Sequence, residues 1–243
     1  MSFGPSITPP VIKQLLIANA AVFLAQSAGM MPIGPLSASP ADFWTRGFVW
    51  QPFSYMWLHG GLGHVAMNMF ALWMFGSQLA VIWGAQRFLR FYLICGVGAG
   101  FLIVTYPWIP VLIGARDPIS LMVPTLGASG AVYGVLLAYS FTWPDRTIMF
   151  IFPPVAFRAI WLIPILFVFT LLSGPSNVSH IGHLGGVLVG WLLLRSRGET
   201  GTLLSIGQIK FKLRRWQMRR RLRAVRQEDW RERNDDRGGP RLH

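Results

Sequence analysis

An all-α membrane protein, a bundle of six transmembrane helices, is the fold class this sequence predicts, and three observations predict it. The first is composition: 53% of the 243 residues are hydrophobic and the mean hydropathy is +0.46, too apolar for a soluble domain of this size. The second is arrangement, because the apolar residues fall in long blocks with the charges pushed between them or to the C-terminus, as bilayer-spanning helices require. The third is charge. From Glu199 onward 13 basic and 6 acidic residues supply +7 of the net +13, leaving +6 on the larger apolar part. The chain therefore divides into a membrane core, 1–198, and a basic tail, 199–243.

Each span is read from hydropathy in turn. The first covers about 11–29; one lysine, Lys13, and then Leu15 to Ala28 would also suit a cleavable leader, but a retained helix makes the count even. A connection over 30–62 follows, nearly uncharged and carrying Phe43, Trp44, Phe48, Trp50, Phe53, Tyr55, Met56 and Trp57. Such a segment either lies in the membrane interface as short amphipathic helices or packs over neighbouring helices. The second span is about 63–83 and the third about 88–106, before a proline-punctuated loop to 126. The fourth is about 127–143, the fifth about 148–172 and the sixth about 180–195. Pro153, Pro154 and Pro164 should delay or kink the fifth. Cys95, the only cysteine, sits in an apolar block as a buried small residue.

Positive charge sets the orientation. Arg87 and Arg90, Arg146 and Arg158, and the tail mark one side, whereas 30–62 and 107–126 hold one arginine each and 173–179 holds no charge. By the positive-inside rule both termini are cytoplasmic. The fourth and sixth spans are short against the roughly 20 residues that cover a hydrocarbon core. Their outer ends should thus start below the membrane surface, beside a recess that holds water.

The polar residues gather at that outer level. Ser129 opens the fourth span between Gly127 and Gly130, His64 and Asn68 open the second, and His183 opens the sixth. Intramembrane polar groups are costly and mark function by default. His64 and Asn68, four apart, share a helix face; so do His183, Gly186 and Gly190, while Gly130 and Gly134 give the fourth span a small-residue stripe for close helix approach. Packing through those stripes would bring Ser129 beside His183. A serine next to a neutral imidazole suits nucleophilic acyl transfer, with the Ser129 N–H, Asn68 and His64 as donors to an oxyanion. No acid lies in the outer halves of the spans, so the pattern is a Ser–His dyad. Tyr133, one turn below Ser129, either packs on the His183 ring or simply fills the core. His59 and His180 read as structural: His59 ties the loop to the helix start, and His180 is a polar group at a helix entry.

These residues resemble the rhomboid family of intramembrane serine proteases over about residues 10–196. The resemblance rests on Gly-x-Ser-Gly at Gly127 to Gly130, His-x-x-x-Asn at His64 to Asn68, and His-x-x-Gly-x-x-x-Gly at His183, Gly186 and Gly190. It implies cleavage of single-span membrane proteins, with Ser129 as nucleophile and His183 as base. It further implies an oxyanion hole of the Ser129 N–H, His64 and Asn68, Tyr133 stacked on His183, a membrane-embedded first loop at 30–62, and a fifth span that gates substrate entry. One departure is Trp50-Gln51 where many members carry Trp-Arg, which puts the anchoring of that loop in doubt.

Other classes fit less well. A metal hydrolase would want His-Glu-x-x-His and a carboxylate base, and a transporter would want inverted repeats or charges inside the spans; neither pattern is present. An inactive rhomboid-like protein that binds membrane clients is the alternative. No cofactor and no metal is expected. Partners are the lipid bilayer and single-span substrates, with no nucleic acid. The tail interleaves Lys210, Lys212 and Arg214 to Arg223 with Phe211, Leu213, Trp216 and Met218, and is either a basic amphipathic helix on anionic inner-leaflet lipids or a disordered segment. The expected location is the inner (cytoplasmic) membrane of a bacterial-type cell, multi-pass, with the site on the outer side. A mitochondrial inner membrane stays open, although no transit peptide is seen.

Overall fold

The computed structural model describes residues 4–149, 155–173 and 180–196. The chain divides after Arg197, and the readings made for 199–243 and for most of the 173–179 loop fall outside the described residues.

The described fold is mostly helical. Helix α1, Pro10–Ser27, starts with proline at its first position, where a missing N–H costs nothing, and buries Val11, Ile12, Leu15 and Asn19 on one face. The connection that follows folds into three short helices, α2 (Ile33–Leu36), α3 (Pro40–Thr45) and α4 (Gln51–Ser54), and a 3₁₀ turn, Tyr55–Trp57. Next come α5 (Leu62–Ala71) and α6 (Ser77–Trp83), joined by a π-helical turn, Leu72–Gly76, into one rod. Helix α7, Ala85–Thr105, is followed by the short α8, Trp108–Leu112. By length and composition, Pro10–Ser27, Leu62–Trp83 and Ala85–Leu112 can each cross a membrane.

Helix α9, Ser129–Thr142, is the centre of the packing: every residue from Gly130 to Ser140 is buried, against α7 and the last two helices, α10 (Leu162–Ser173) and α11 (His180–Ser196). Its lack of any charged residue lets it sit there at no ionic cost.

The helical fold class stands with one small addition, and one boundary needs correction: the fifth helix starts at Leu162 rather than near 148, delayed as its prolines predict. Strands β1 (Thr147–Met149) and β2 (Ala156–Arg158) pair antiparallel, Ile148 opposite Phe157, and a 3₁₀ turn precedes α10 at Leu162. Pro153 and Pro154 make a continuous helix across this part of the sequence unfavourable, and Ile148 and Phe157 are residue types that suit a ladder.

The connection 30–62 is packed onto α7 while keeping an apolar outer face. The Trp44 indole N–H donates to the Val104 carbonyl at 3.1 Å and the Tyr55 hydroxyl to the Gly96 carbonyl at 2.8 Å; Trp44, Val49, Trp50 and Phe53 are exposed. Gln51 resolves the doubt about anchoring. It is wholly buried, its Oε1 accepts from the Ser39 N–H at 3.0 Å, and its Nε2 and the Trp50 indole both donate to the Pro35 carbonyl, at 3.5 and 2.9 Å. Gln51→Leu keeps the volume but strands the buried Ser39 N–H. It should lower unfolding stability in detergent by about 1–3 kcal/mol; an unchanged denaturation midpoint would refute this anchoring role.

Candidate active site

Three helix starts build the site. At the first, Gly127 has φ +128°, a conformation side-chain-bearing residues avoid, and its N–H donates to the Tyr55 carbonyl at 3.0 Å. This turns the chain into α9 with Ser129, half-buried, as the first helical residue. The Val132 N–H donates to the Ala128 carbonyl at 3.0 Å, so the N–H groups of Ser129, Gly130 and Ala131 precede the intrahelical ladder. Together with the helix dipole they favour negative charge there.

At the second, α5 carries His64 and Asn68 on one face. The Asn68 Nδ2 donates to the His64 carbonyl at 3.0 Å, leaving its second amide hydrogen for another acceptor, and the Gly60 N–H donates to His64 Nδ1 at 3.3 Å. A neutral imidazole that accepts at Nδ1 carries its proton on Nε2. That donor lies against Gly127, two residues before the serine: a Cβ on Gly127 would stand 2.7 Å from His64 Nε2 and 3.8 Å from Ser129 Oγ. Gly127, expected among the helix-packing glycines, thus abuts the His64 ring of α5.

At the third, α11 brings His183, 7% exposed, onto Tyr133 with ring centroids 4.1 Å apart and planes within 10°. Tyr133 is four residues beyond Ser129, about 6 Å along the same helix face, so the stack carries the imidazole to the serine's side of α9. Ser129 and His183 share no hydrogen bond among the described residues. His183 Nδ1 is buried without a protein partner among them, and the Tyr133 ring fixes its plane.

Glycine contacts hold α9 and α11 together. A Cβ on Gly186 would stand 1.8 Å from the Gly130 carbonyl oxygen, one on Gly134 would stand 3.2 Å from the Gly186 oxygen, and one on Gly190 3.2 Å from the Gly134 Cα. Such close approach is what small-residue stripes permit between membrane helices.

Of the described histidines, the other two are His59 and His180. His59 is fully buried with its ring edge-on to His64 at 5.2 Å. Burial first, and the neighbouring His64 second, push its pKa down to about 4, so it is neutral at pH 7. The loop is tied at His59 through the peptide rather than the ring, because both its N–H and its carbonyl bond the Gln26 side chain. His180 stands edge-on to Phe167 of α10 at 6.0 Å. Sequence reasoning passed over Gln26 and Gly60, since one glutamine at a helix end carries no signal of a partner 33 residues away. Among the described residues no three His, Cys, Asp or Glu side chains converge as metal ligands would.

Comparison with known proteins matches residues 46–198 to the Rhomboid domain. The chain is 32% identical over 146 residues to "Rhomboid protein 1, mitochondrial" of Saccharomyces cerevisiae, covering 57% of this chain and 40% of the yeast protein. It is 32% identical over 193 residues to "RHOMBOID-like protein 12, mitochondrial" of Arabidopsis thaliana, covering 74% and 56%. It is also 29% identical over 156 residues to "Rhomboid protease GluP" of Bacillus subtilis, covering 63% and 27%. The chain thus spans about half or less of the length of these curated relatives.

Proposed function

The chain belongs to the rhomboid family, a family of helical multi-pass membrane proteins, and from that premise we propose that it is a six-helix intramembrane serine protease. It cleaves peptide bonds in or near transmembrane segments of single-span proteins. The observation that carries the reading is the Tyr133–His183 stack one turn below Ser129, held by the Gly130–Gly186 contact.

In this reaction neutral His183 accepts the Ser129 proton as Oγ attacks the substrate carbonyl. The Ser129 N–H, His64 Nε2–H and the spare Asn68 amide hydrogen stabilise the oxyanion. His183 then donates its proton to the leaving amine; the same imidazole takes a proton from a water that attacks the acyl carbon, and returns it to Oγ as the ester bond breaks, restoring Ser129 and neutral His183. Substrate backbone must be extended to reach Ser129, so segments with small, weakly helical residues are favoured. Both termini are cytoplasmic and the site faces the outer side; the exposed apolar α10 is the side for lateral entry.

A serine-reactive fluorophosphonate tests the proposal. Labelling that requires Ser129, with cleavage of a model transmembrane substrate that resists chelators, supports it; labelling without cleavage of any substrate favours the client-binding alternative. The basic tail is assigned to anionic inner-leaflet lipids rather than to chemistry. Deleting 205–243 should therefore leave turnover in detergent within about twofold, since the tail adds only surface attraction of about 1 kcal/mol per basic residue near a charged membrane. Complete loss of turnover would refute that division.

A further inference from the structure

We infer that Gln26 is a positioning residue for the oxyanion donor His64, acting from the end of α1 through a single peptide unit. The inference rests on the proposed role of His64. Gln26 Nε2 donates to the His59 carbonyl at 2.5 Å, and the His59 N–H donates to Gln26 Oε1 at 3.1 Å. The His59 carbonyl and the Gly60 N–H belong to the same planar trans peptide and point in opposite directions. Holding the carbonyl end on Gln26 therefore aims the other end, the Gly60 N–H, at His64 Nδ1, 3.3 Å away.

The need for such a hold follows from what surrounds it. Gly60 and Gly61 come next, and glycine leaves a peptide free to turn. Were this peptide to rotate, His64 Nδ1 would lose its donor, and the proton could sit on either ring nitrogen. Only the Nε2–H form presents a donor on the ring edge that lies against Gly127, where the helix of Ser129 begins. The series Gln26 to His59 carbonyl, Gly60 N–H to His64 Nδ1 is also a chain of aligned hydrogen bonds, each polarising the next. It makes the Nε2–H a stronger donor than an unassisted imidazole.

The test separates positioning from plain support of the fold. With active sites counted by fluorophosphonate labelling, Gln26→Met should lower kcat on a model transmembrane substrate about tenfold with KM unchanged, a fraction of the 10²–10³-fold lost when an oxyanion donor is removed. In a His64→Ala background the same substitution should change kcat no further. Gln26→Glu, which when ionised keeps the acceptor for the His59 N–H but loses the donor to its carbonyl, should fall between. Full multiplication of the two effects in the double variant, or a change confined to KM, overturns the inference. A second readout needs no activity: ¹⁵N NMR of histidine-labelled protein, assigned with His64→Gln, should show His64 as the Nε2–H tautomer in the native chain and as a mixture in Gln26→Met. An unchanged tautomer in that variant also overturns the inference. If the native chain does not cleave, or Ser129→Ala still does, the protease reading fails while the NMR result still decides the role of Gln26.

Discussion

Ser129→Ala should lower turnover of a model transmembrane substrate by about 10⁴- to 10⁶-fold, the range found when a nucleophile or its base is removed from a serine protease. His183→Ala should fall in the same range. The double variant should be no worse than either single one, because the hydroxyl and the imidazole act as a unit. α9 relates the two groups: Ser129 begins it, and Tyr133, one turn on, stacks against the His183 ring at 4.1 Å. His183 Nδ1 has no protein partner among the described residues, so orientation falls to the tyrosine ring rather than to a carboxylate. Cleavage measured by mass of the products, with unfolding midpoints as a control for folding, decides the matter. Residual turnover above about 1% of native in Ser129→Ala would remove this serine from the nucleophile's role.

The parts of this arrangement that sequence made legible are those governed by short-range rules. His64 and Asn68 share a face because four residues nearly complete a turn. Gly130, Gly134, Gly186 and Gly190 meet because stripes of small residues in two apolar helices have one economical way to pack. The parts that stayed hidden depend on partners far apart in the chain. Gln26 and His59 are 33 residues apart, and neither residue type predicts the pairing. Gln51 departs from the Trp-Arg pair, yet its amide accepts from the Ser39 N–H and donates to the Pro35 carbonyl, partners 12 and 16 residues away. The 148–161 stretch misled for a different reason. A short apolar run has no periodicity that separates strand from helix, and hydropathy alone merged β1, β2 and α10 into one span.

Gly186→Ala should produce the other large effect, on stability and turnover together. Its added Cβ would stand 1.8 Å from the Gly130 carbonyl oxygen and 2.7 Å from the carbonyl carbon. Both are backbone atoms of a buried helix, so no side chain can swing aside, and α9 and α11 must separate. Overpacking of this kind costs about 1–3 kcal/mol and at times more. Separation also opens the Tyr133–His183 stack and draws the imidazole away from Ser129, and a displacement of about 1 Å costs on the order of 10²-fold in rate. Gly190→Ala is the internal comparison, because its Cβ would lie 3.2 Å from the Gly134 Cα and 3.4 Å from the Phe91 ring, a contact that a few tenths of an ångström relieves. The expected order is therefore a large loss for Gly186→Ala and a small one for Gly190→Ala, both in unfolding midpoint and in turnover per labelled site. Equal and small effects would mean that the two helices do not meet through the Gly130 carbonyl, and the geometry that brings hydroxyl and imidazole to one side of α9 would lose its support.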